Sequence, residues 1–174
     1  MRYGVPIRLE ALLSQFVTRV QSRSGLPTDL VFRSLAPDEA FTAVPPAKRF
    51  VVITPQSMVP VPSLFDGSGR YTMGVDGRFR VACMAEYSTD TEYRSTRELS
   101  DLTNGIIALF AKCIDALHQW DVPNGSGGSY VREPVRCEAF DIRPKRIEKT
   151  NWAVLNASFM AKFVLDLESG VTPP

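Results

Sequence analysis

From Ala153 onward the odd positions Leu155, Ala157, Phe159, Ala161, Phe163, Leu165 and Leu167 are all apolar, while the even positions include Asn156, Ser158, Lys162 and Asp166. A period of two puts alternate side chains on opposite faces of an extended chain, so this pattern specifies a β-strand with one buried face. At roughly 3.3 Å per residue the strand would run about 50 Å if straight, where typical strands are nearer 17–20 Å. It must bend, bulge, or extend beyond its own domain. Whatever the chain folds into has to be built around a sheet that can house it.

Partners for such a strand are visible upstream. Arg49-Phe50-Val51-Val52-Ile53-Thr54 is apolar and β-branched, bounded by Pro45-Pro46 and Pro55, and reads as a strand buried on both faces. Arg78 to Tyr87 alternates, with Phe79, Val81, Cys83, Ala85 and Tyr87 on one side and Arg80, Ala82, Met84 and Glu86 on the other. Val135 to Asp141 reads as a further strand, and Leu30 to Phe32 as a short extended piece before a turn at Pro37-Asp38.

Two stretches carry the helical period instead. Leu9, Leu12, Leu13, Phe16, Val17 and Val20 recur at three and four; Pro6 suits the first helical position, and Gly25 and Pro27 stop the helix after Arg23. The second helix is announced by Ser95-Thr96-Arg97-Glu98, a capping box, and runs with Leu99, Leu102, Ile106, Leu109, Phe110, Cys113, Leu117 and Trp120 on one face. Gly105 falls inside it, at a cost of about 1 kcal/mol relative to Ala. The order is that of an α+β fold: a mainly antiparallel sheet with two helices packed on one face. Residues 1–174 are expected to form one domain, because a chain of this length buries about 70% of the surface it exposes when unfolded.

Between Pro55 and Gly77 the texture changes to Pro55, Pro60 and Pro62, then Gly67, Gly69, Gly74 and Gly77, with no steady period. Loops above roughly 15 residues in compact domains are usually functional or disordered. Met58, Val59, Val61, Leu64 and Phe65 give this one an apolar character suited to an inter-subunit arm; a β-hairpin arm packed on its own domain is the other reading. Asp121 to Ser129 is a Gly-rich loop.

Charge narrows the function classes. The 174 residues hold 20 Lys and Arg against 19 Asp and Glu, a net charge of +1, which argues against a dedicated nucleic-acid binder. The one clear basic run is Arg143, Lys145, Arg146 and Lys149, a candidate interface or lumen-lining patch that could equally be a solvated connection between two strands. No apolar run approaches the roughly 20 residues that span a bilayer, and the first residues lack the core of a secretory signal, so a soluble protein made inside a cell is expected. Cys83, Cys113 and Cys137 fall in different apolar stretches; they are expected to be reduced, buried and mutually distant.

Catalytic chemistry finds little to stand on. His118, the only histidine, sits near a helix end, where dipole effects suffice to explain it, and Cys113 on the same helix is not spaced to meet it. There is no H-E-x-x-H, no phosphate-binding G-x-x-x-x-G-K-[ST] and no dinucleotide G-x-G-x-x-G. Asp66-Gly67-Ser68-Gly69 and Gly125-Ser126-Gly127-Gly128 are turn chemistry, and Asn156-Ala157-Ser158 matches a glycosylation acceptor by chance. Asp38, Glu39, Asp90 and Glu92 suit solvated turns and helix N-termini. No catalytic residue, cofactor or metal site is expected.

The pattern Leu12-Leu13-Ser14-Gln15-Phe16-Val17-Thr18-Arg19-Val20-Gln21-Ser22-Arg23, followed by Lys48-Arg49-Phe50-Val51-Val52-Ile53-Thr54-Pro55-Gln56, resembles tail terminator (tail completion) proteins of tailed bacteriophages. The strand ending Ala85-Glu86-Tyr87, the helix Leu99 to Trp120 and the strand Trp152 to Leu167 follow in the order of that family. The resemblance is one of layout across most of the chain. It implies a non-enzymatic virion protein at the junction of tail and neck, forming a ring, usually six-fold, that caps the tail tube and ends its polymerisation. Its partners would be copies of itself, the major tail tube protein and neck or connector proteins, with DNA only as passing cargo. Another neck component, such as a head completion protein, is the nearer alternative; a small-ligand-binding or enzymatic α+β domain is the farther one.

Overall fold

In the computed structural model, which describes residues 5–34, 47–61, 72–87, 105–147 and 149–167, the long C-terminal strand lies inside the sheet rather than at its border. The described strands are β1 (Val31–Arg33), β2 (Arg49–Pro60), β3 (Thr72–Tyr87), β4 (Val131–Ile147) and β5 (Thr150–Asp166). Their order across the sheet is β1-β2-β3-β5-β4, parallel between β1 and β2 and antiparallel elsewhere. Among the described residues two α-helices, α1 (Leu9–Ser24) and α2 (Ile106–Leu117), complete the α+β arrangement, with a 3-10 turn at Thr28–Leu30. Pro37-Asp38, Ser95–Glu98, Leu99, Leu102, Leu64, Phe65 and residues 66–69 lie outside the described residues, as do Asp38, Glu39, Asp90 and Glu92.

β5 finds room within its own chain because its neighbours are as long as it is. Against β3 the register runs from Thr72↔Asp166 to Tyr87↔Asn151 without a shift. Against β4 it runs from Ile147↔Thr150 to Val131↔Phe163, with shifts at Val131/Glu133, Glu133/Arg136 and Cys137/Ala139. The surplus residues are thus taken up as bulges in β4, and β5 itself stays regular. Where β4 ends, Ile7 takes its place: its N–H donates to the Val164 carbonyl at 2.9 Å and its carbonyl accepts from Asp166 at 3.0 Å. The length of β5 is therefore no sign of reach beyond the domain. Pro6 precedes this bridge instead of opening the helix, which starts at Leu9 with Arg8 as N-cap.

The odd residues of β5 face the helices, as the alternation requires. Leu155, Ala157, Phe159, Ala161 and Phe163 join Val75, Phe79, Val81 and Cys83 of β3, Val51 and Ile53 of β2, and Leu12, Leu13, Phe16 and Val20 of α1 in one buried cluster, to which α2 adds Leu109, Cys113 and Leu117. Phe16 meets Phe79 edge-on with centroids 5.0 Å apart. Each such side chain contributes roughly 1.5–3 kcal/mol by leaving water, so this face fixes the positions of both helices. α1 closes at Gly25, whose φ of 75° is the left-handed conformation a Gly adopts without strain.

The opposite face carries no helix among the described residues, yet one end of it is apolar. Phe50, Val52, Ala82, Met84, Trp152 and Val154 form a second buried cluster; Phe50 stacks on Phe32 at 5.9 Å and meets Trp152 edge-on at 5.7 Å. This is why Phe50 to Ile53 is buried on both sides, as its continuous apolar run predicts.

Four expectations need correction. β2 does not stop at Pro55: it passes through a register shift between Pro55 and Ser57 and pairs with β3 as far as Pro60↔Val75, so the described part of the Pro/Gly-rich segment is a β-hairpin. Gly77 is not a turn residue within it. It pairs with Met58 in mid-strand, where an added Cβ would stand 2.7 Å from the Phe163 ring and 2.9 Å from Met58 Sδ. α2 ends at Leu117, before Trp120, because Gln119 takes a φ of 59° that no helix continues; Gly105 stands at its N-cap rather than in its interior. Finally, Cys83 and Cys113 are neighbours: their sulfurs lie 3.6 Å apart in the core, brought together by β3 and α2. All three cysteines are free thiols, and Cys137 is half-buried rather than buried.

Candidate functional site

β4 was expected over Val135 to Asp141, but it spans Val131–Ile147, and this places the basic run. Arg143, Lys145 and Arg146 are strand residues at the edge of the sheet rather than part of a connection, and only Lys149 lies in the turn to β5. The sequence looked like a loop there because Pro144 and four cations are poor sheet formers. An edge strand tolerates both, since one side of it has no ladder to maintain.

Register fixes which way each residue points. Asp141, Arg143 and Lys145 pair with Asn156, Val154 and Trp152, on the helix-free face; Phe140 and Ile142 pair with Ala157 and Leu155, on the helix face. The four basic residues therefore do not form one patch. Arg143 and Lys145 share a flank, and Arg143 is held by an ion pair with Asp141.

The helix-free face beyond the second cluster is polar and laced with ion pairs. Arg78 bonds Glu138 at 3.0 Å, while Glu133 accepts from Lys162 at 3.0 Å and lies 3.6 Å from Arg136. The Lys162 hydrogen bond holds the Glu133 carboxyl below its ordinary range. A shallow cavity of about 230 Å³ opens among Gln56, Arg80, Asp141, Arg143, Asn156 and Ser158. Ser158 donates to Gln56 across it at 3.3 Å, and Asn156, buried in its floor, keeps an Oδ1 with no hydrogen-bond partner. Nothing here pairs a nucleophile with a base.

His118 has a structural task. As the C-cap of α2 it accepts the Cys137 N–H on Nδ1 at 3.1 Å, so the imidazole serves as a backbone acceptor for β4. Trp120, next along, bridges to Val135 and lies under the Arg19 guanidinium, 5.3 Å from the ring centroid; Arg19 also donates to the Ala116 carbonyl at 3.2 Å. Arg19 thus ties α1 to the end of α2 instead of standing in solvent. Burial pushes the Cys137 thiol up, and the bond to Cys113 followed by burial pushes Cys83 up further, so neither is an activated thiolate.

The hairpin residues divide in the same way as the strand. Met58 packs on the main core and is not an exposed arm residue; Val61 is half-buried and donates to the Gly74 carbonyl at 2.8 Å; Val59 is 55% exposed. No group of three or more His, Cys, Asp or Glu residues among the described residues could hold a metal ion. No helix among them is long and apolar enough to cross a membrane.

Sequence reasoning missed the most exposed apolar residues of the molecule's edge, Phe140 and Ile142, at 67% and 65% exposure. Their alternation with Asp141 and Arg143 is the signal for them in the sequence, and it continues the strand past Asp141.

No known family profile matches the chain, and no curated protein matches its sequence. Solved structures do. A chain from the virion of a native gene transfer agent particle is similar over 88% of this chain and 94% of its own length, with a TM-score of 0.51 and 16% identity. The sheath/tube terminator of an extracellular contractile injection system, in its extended state, is similar at a TM-score of 0.42 and 9% identity over 97% of this chain, which spans 60% of that one. At these identities the first likeness is one of fold, and the second is too slight to add to it.

Proposed function

We propose that this chain is a structural subunit of a phage-like particle, carried in the virion at the tail and neck junction. Copies of it form a ring, of six in the usual symmetry of the family it resembles, that caps the tail tube, ends its polymerisation and joins the neck. The observation that carries the reading is the near end-to-end likeness of fold to a gene transfer agent virion chain, in agreement with the tail-terminator layout of the sequence. A ring needs a head-to-tail interface, in which two different surfaces of one subunit meet. Val59 on the hairpin, with Leu64 and Phe65 beyond it in sequence, supplies one candidate surface. The whole chain acts as one domain, no reaction is performed, and DNA passes without being held.

Negative-stain images of the purified protein test this directly. A ring with an open centre, and loss of tube elongation when the protein is added to polymerising tail tubes, are the expected results; a monomer that leaves tubes unaffected would refute the reading. A second reading is a different neck component, since the similar chain is described by its particle and not by its position. Binding to the head-side connector without binding to tubes would decide for it.

A further inference from the structure

Cys83 and Cys113 face each other across the contact between the sheet and α2. Cys83 belongs to β3, where it pairs with Val51 of β2 on one side and Leu155 of β5 on the other. Cys113 lies on the buried face of α2 with Leu109, Phe110 and Leu117. Their sulfurs are 3.6 Å apart, at van der Waals contact, and both side chains are buried in the main cluster. A strand paired on both sides and a helix packed over it thus hold two thiols together, although 30 residues separate them along the chain. Cys137, the third thiol, is half-buried on β4, and its sulfur turns to the Ala139 carbonyl at 3.9 Å.

Packing alone is served as well by Ala or Val at either position, and a thiol is only a weak hydrogen-bond donor. What two thiols in contact add is chemistry. A disulfide has its sulfurs about 2.05 Å apart, so the pair must close by about 1.5 Å, and rotation about the two Cα–Cβ bonds moves the sulfurs on that scale. No such closure is open to Cys137, which lies on another strand and bonds within its own segment.

We infer that Cys83 and Cys113 are a disulfide site, reduced as the chain is made and joined when the folded protein meets a peroxide. One sulfur, as thiolate, attacks a peroxide oxygen; the O–O bond breaks, hydroxide leaves and takes up the thiol proton, and a sulfenic acid remains. The other thiol attacks that sulfur, the S–S bond forms and water departs. In sum two thiols and one hydrogen peroxide give one disulfide and two waters, the sulfurs being oxidised and the peroxide oxygens reduced. The hydrogen bond to Cys113, then burial, keep the Cys83 thiol protonated, so the reaction is slow in the folded molecule. The site therefore answers sustained exposure outside a reducing compartment rather than a brief pulse of oxidant. Once formed, the bond pins α2 to the middle of the sheet and restricts the unfolded chain, which stabilises the fold. None of this rests on the tail reading.

The full chain, reduced and then freed of reductant, tests the proposal by overnight exposure to hydrogen peroxide, followed by digestion and mass mapping without reductant. Cys137→Ser is treated in parallel, because the half-buried thiol is open to competing oxidation. The expected product joins the Cys83 and Cys113 peptides with the loss of two hydrogens, and the thiols of Cys137→Ser that titrate in denaturant fall from two to none. The melting temperature of the oxidised Cys137→Ser protein should rise by about 5–10 °C and return to its starting value with dithiothreitol. Cys113→Ala in the same background should show neither the crosslink nor the rise; if that variant does not fold, the mass map of the parent decides alone. In urea Cys113 has Cys137 nearer along the chain than Cys83, so oxidation of the unfolded parent should lose the preference for the native pair. Persistence of both free thiols in the folded protein, or sulfinic or sulfonic acid at Cys83 or Cys113 in place of the crosslink, would overturn the proposal. So would the same pairing preference in folded and unfolded chains, or a crosslinked protein whose melting temperature does not rise.

Discussion

β5 has two neighbours of nearly its own length, and they serve it differently. Along β3 the pairing is unbroken from Asn151 to Asp166, and the facing residues are buried for most of that distance. Along β4 the register slips at three points, and Ile142, Arg143, Pro144 and Arg146 near its end are exposed. The same central strand is thus a stability element on one side and a support for a surface on the other. Regular pairing with large interdigitated side chains maximises burial, whereas bulges and exposed side chains give up burial for shape.

The widest separation between the two sides should appear on truncation of matched aromatics. Phe159→Ala removes a fully buried ring from the β5 core face and should cost about 3–5 kcal/mol, read as a lowered urea midpoint at constant slope. Phe140→Ser, two strands apart in role though adjacent in the sheet, should stay within about 0.5 kcal/mol of the parent. Equal losses would mean that β4 belongs to the core as fully as β3 does.

An intermediate effect is expected at Gly77. A methyl there must displace the Phe163 ring and Met58 Sδ, and crowding of this kind costs about 1–3 kcal/mol. Thermal melts of Gly77→Ala against Gly74→Ala would sharpen the comparison within β3 itself; an unchanged melt for Gly77→Ala would show that the ring and the thioether move aside freely.

The smallest effect concerns the thiols and leaves stability untouched. Under native conditions a disulfide-exchange reagent should label Cys137 first, because Cys83 and Cys113 are buried, and the bond to Cys113 followed by burial keeps the Cys83 thiol protonated. In denaturant without reductant three thiols should titrate. Early reaction at Cys83 or Cys113 would reveal opening of the β3 and α2 contact that the regular half of the sheet is meant to prevent.

Much of the regular half could be read from the residues. Alternation from Leu155 to Leu165 and from Phe79 to Ala85, the doubly apolar run Phe50 to Ile53 and the helical stripe Leu12 to Val20 each correspond to the buried faces found. Those signals are strong because burial on one or both faces leaves no choice of residue type. The irregular half was harder for a physical reason. Pro55 and Pro144 look like strand terminators, yet a bulge accepts the first and an open edge the second, and neither circumstance is local to the sequence. Gly77 and the Cys83–Cys113 contact depend on which elements meet, which spacing along one chain does not encode. The basic stretch Arg143 to Lys149 is legible in the sequence as a run of charge, but the exposure of its apolar neighbours Phe140 and Ile142 and the turning of its cations to different flanks follow from the register of β4 against β5.

The unbroken β3 and β5 ladder also gives the molecule a preferred direction for bearing load. A pull along the strands would strain all of that ladder's bonds together, so none can fail until many do; a pull across them would open the bonds one after another from an end. A molecule tugged lengthwise through β5 is therefore stiff, and the same molecule tugged sideways at the outer border of β4 yields in small steps, with the bridges at Val135 and Cys137 parting before anything beneath them is disturbed.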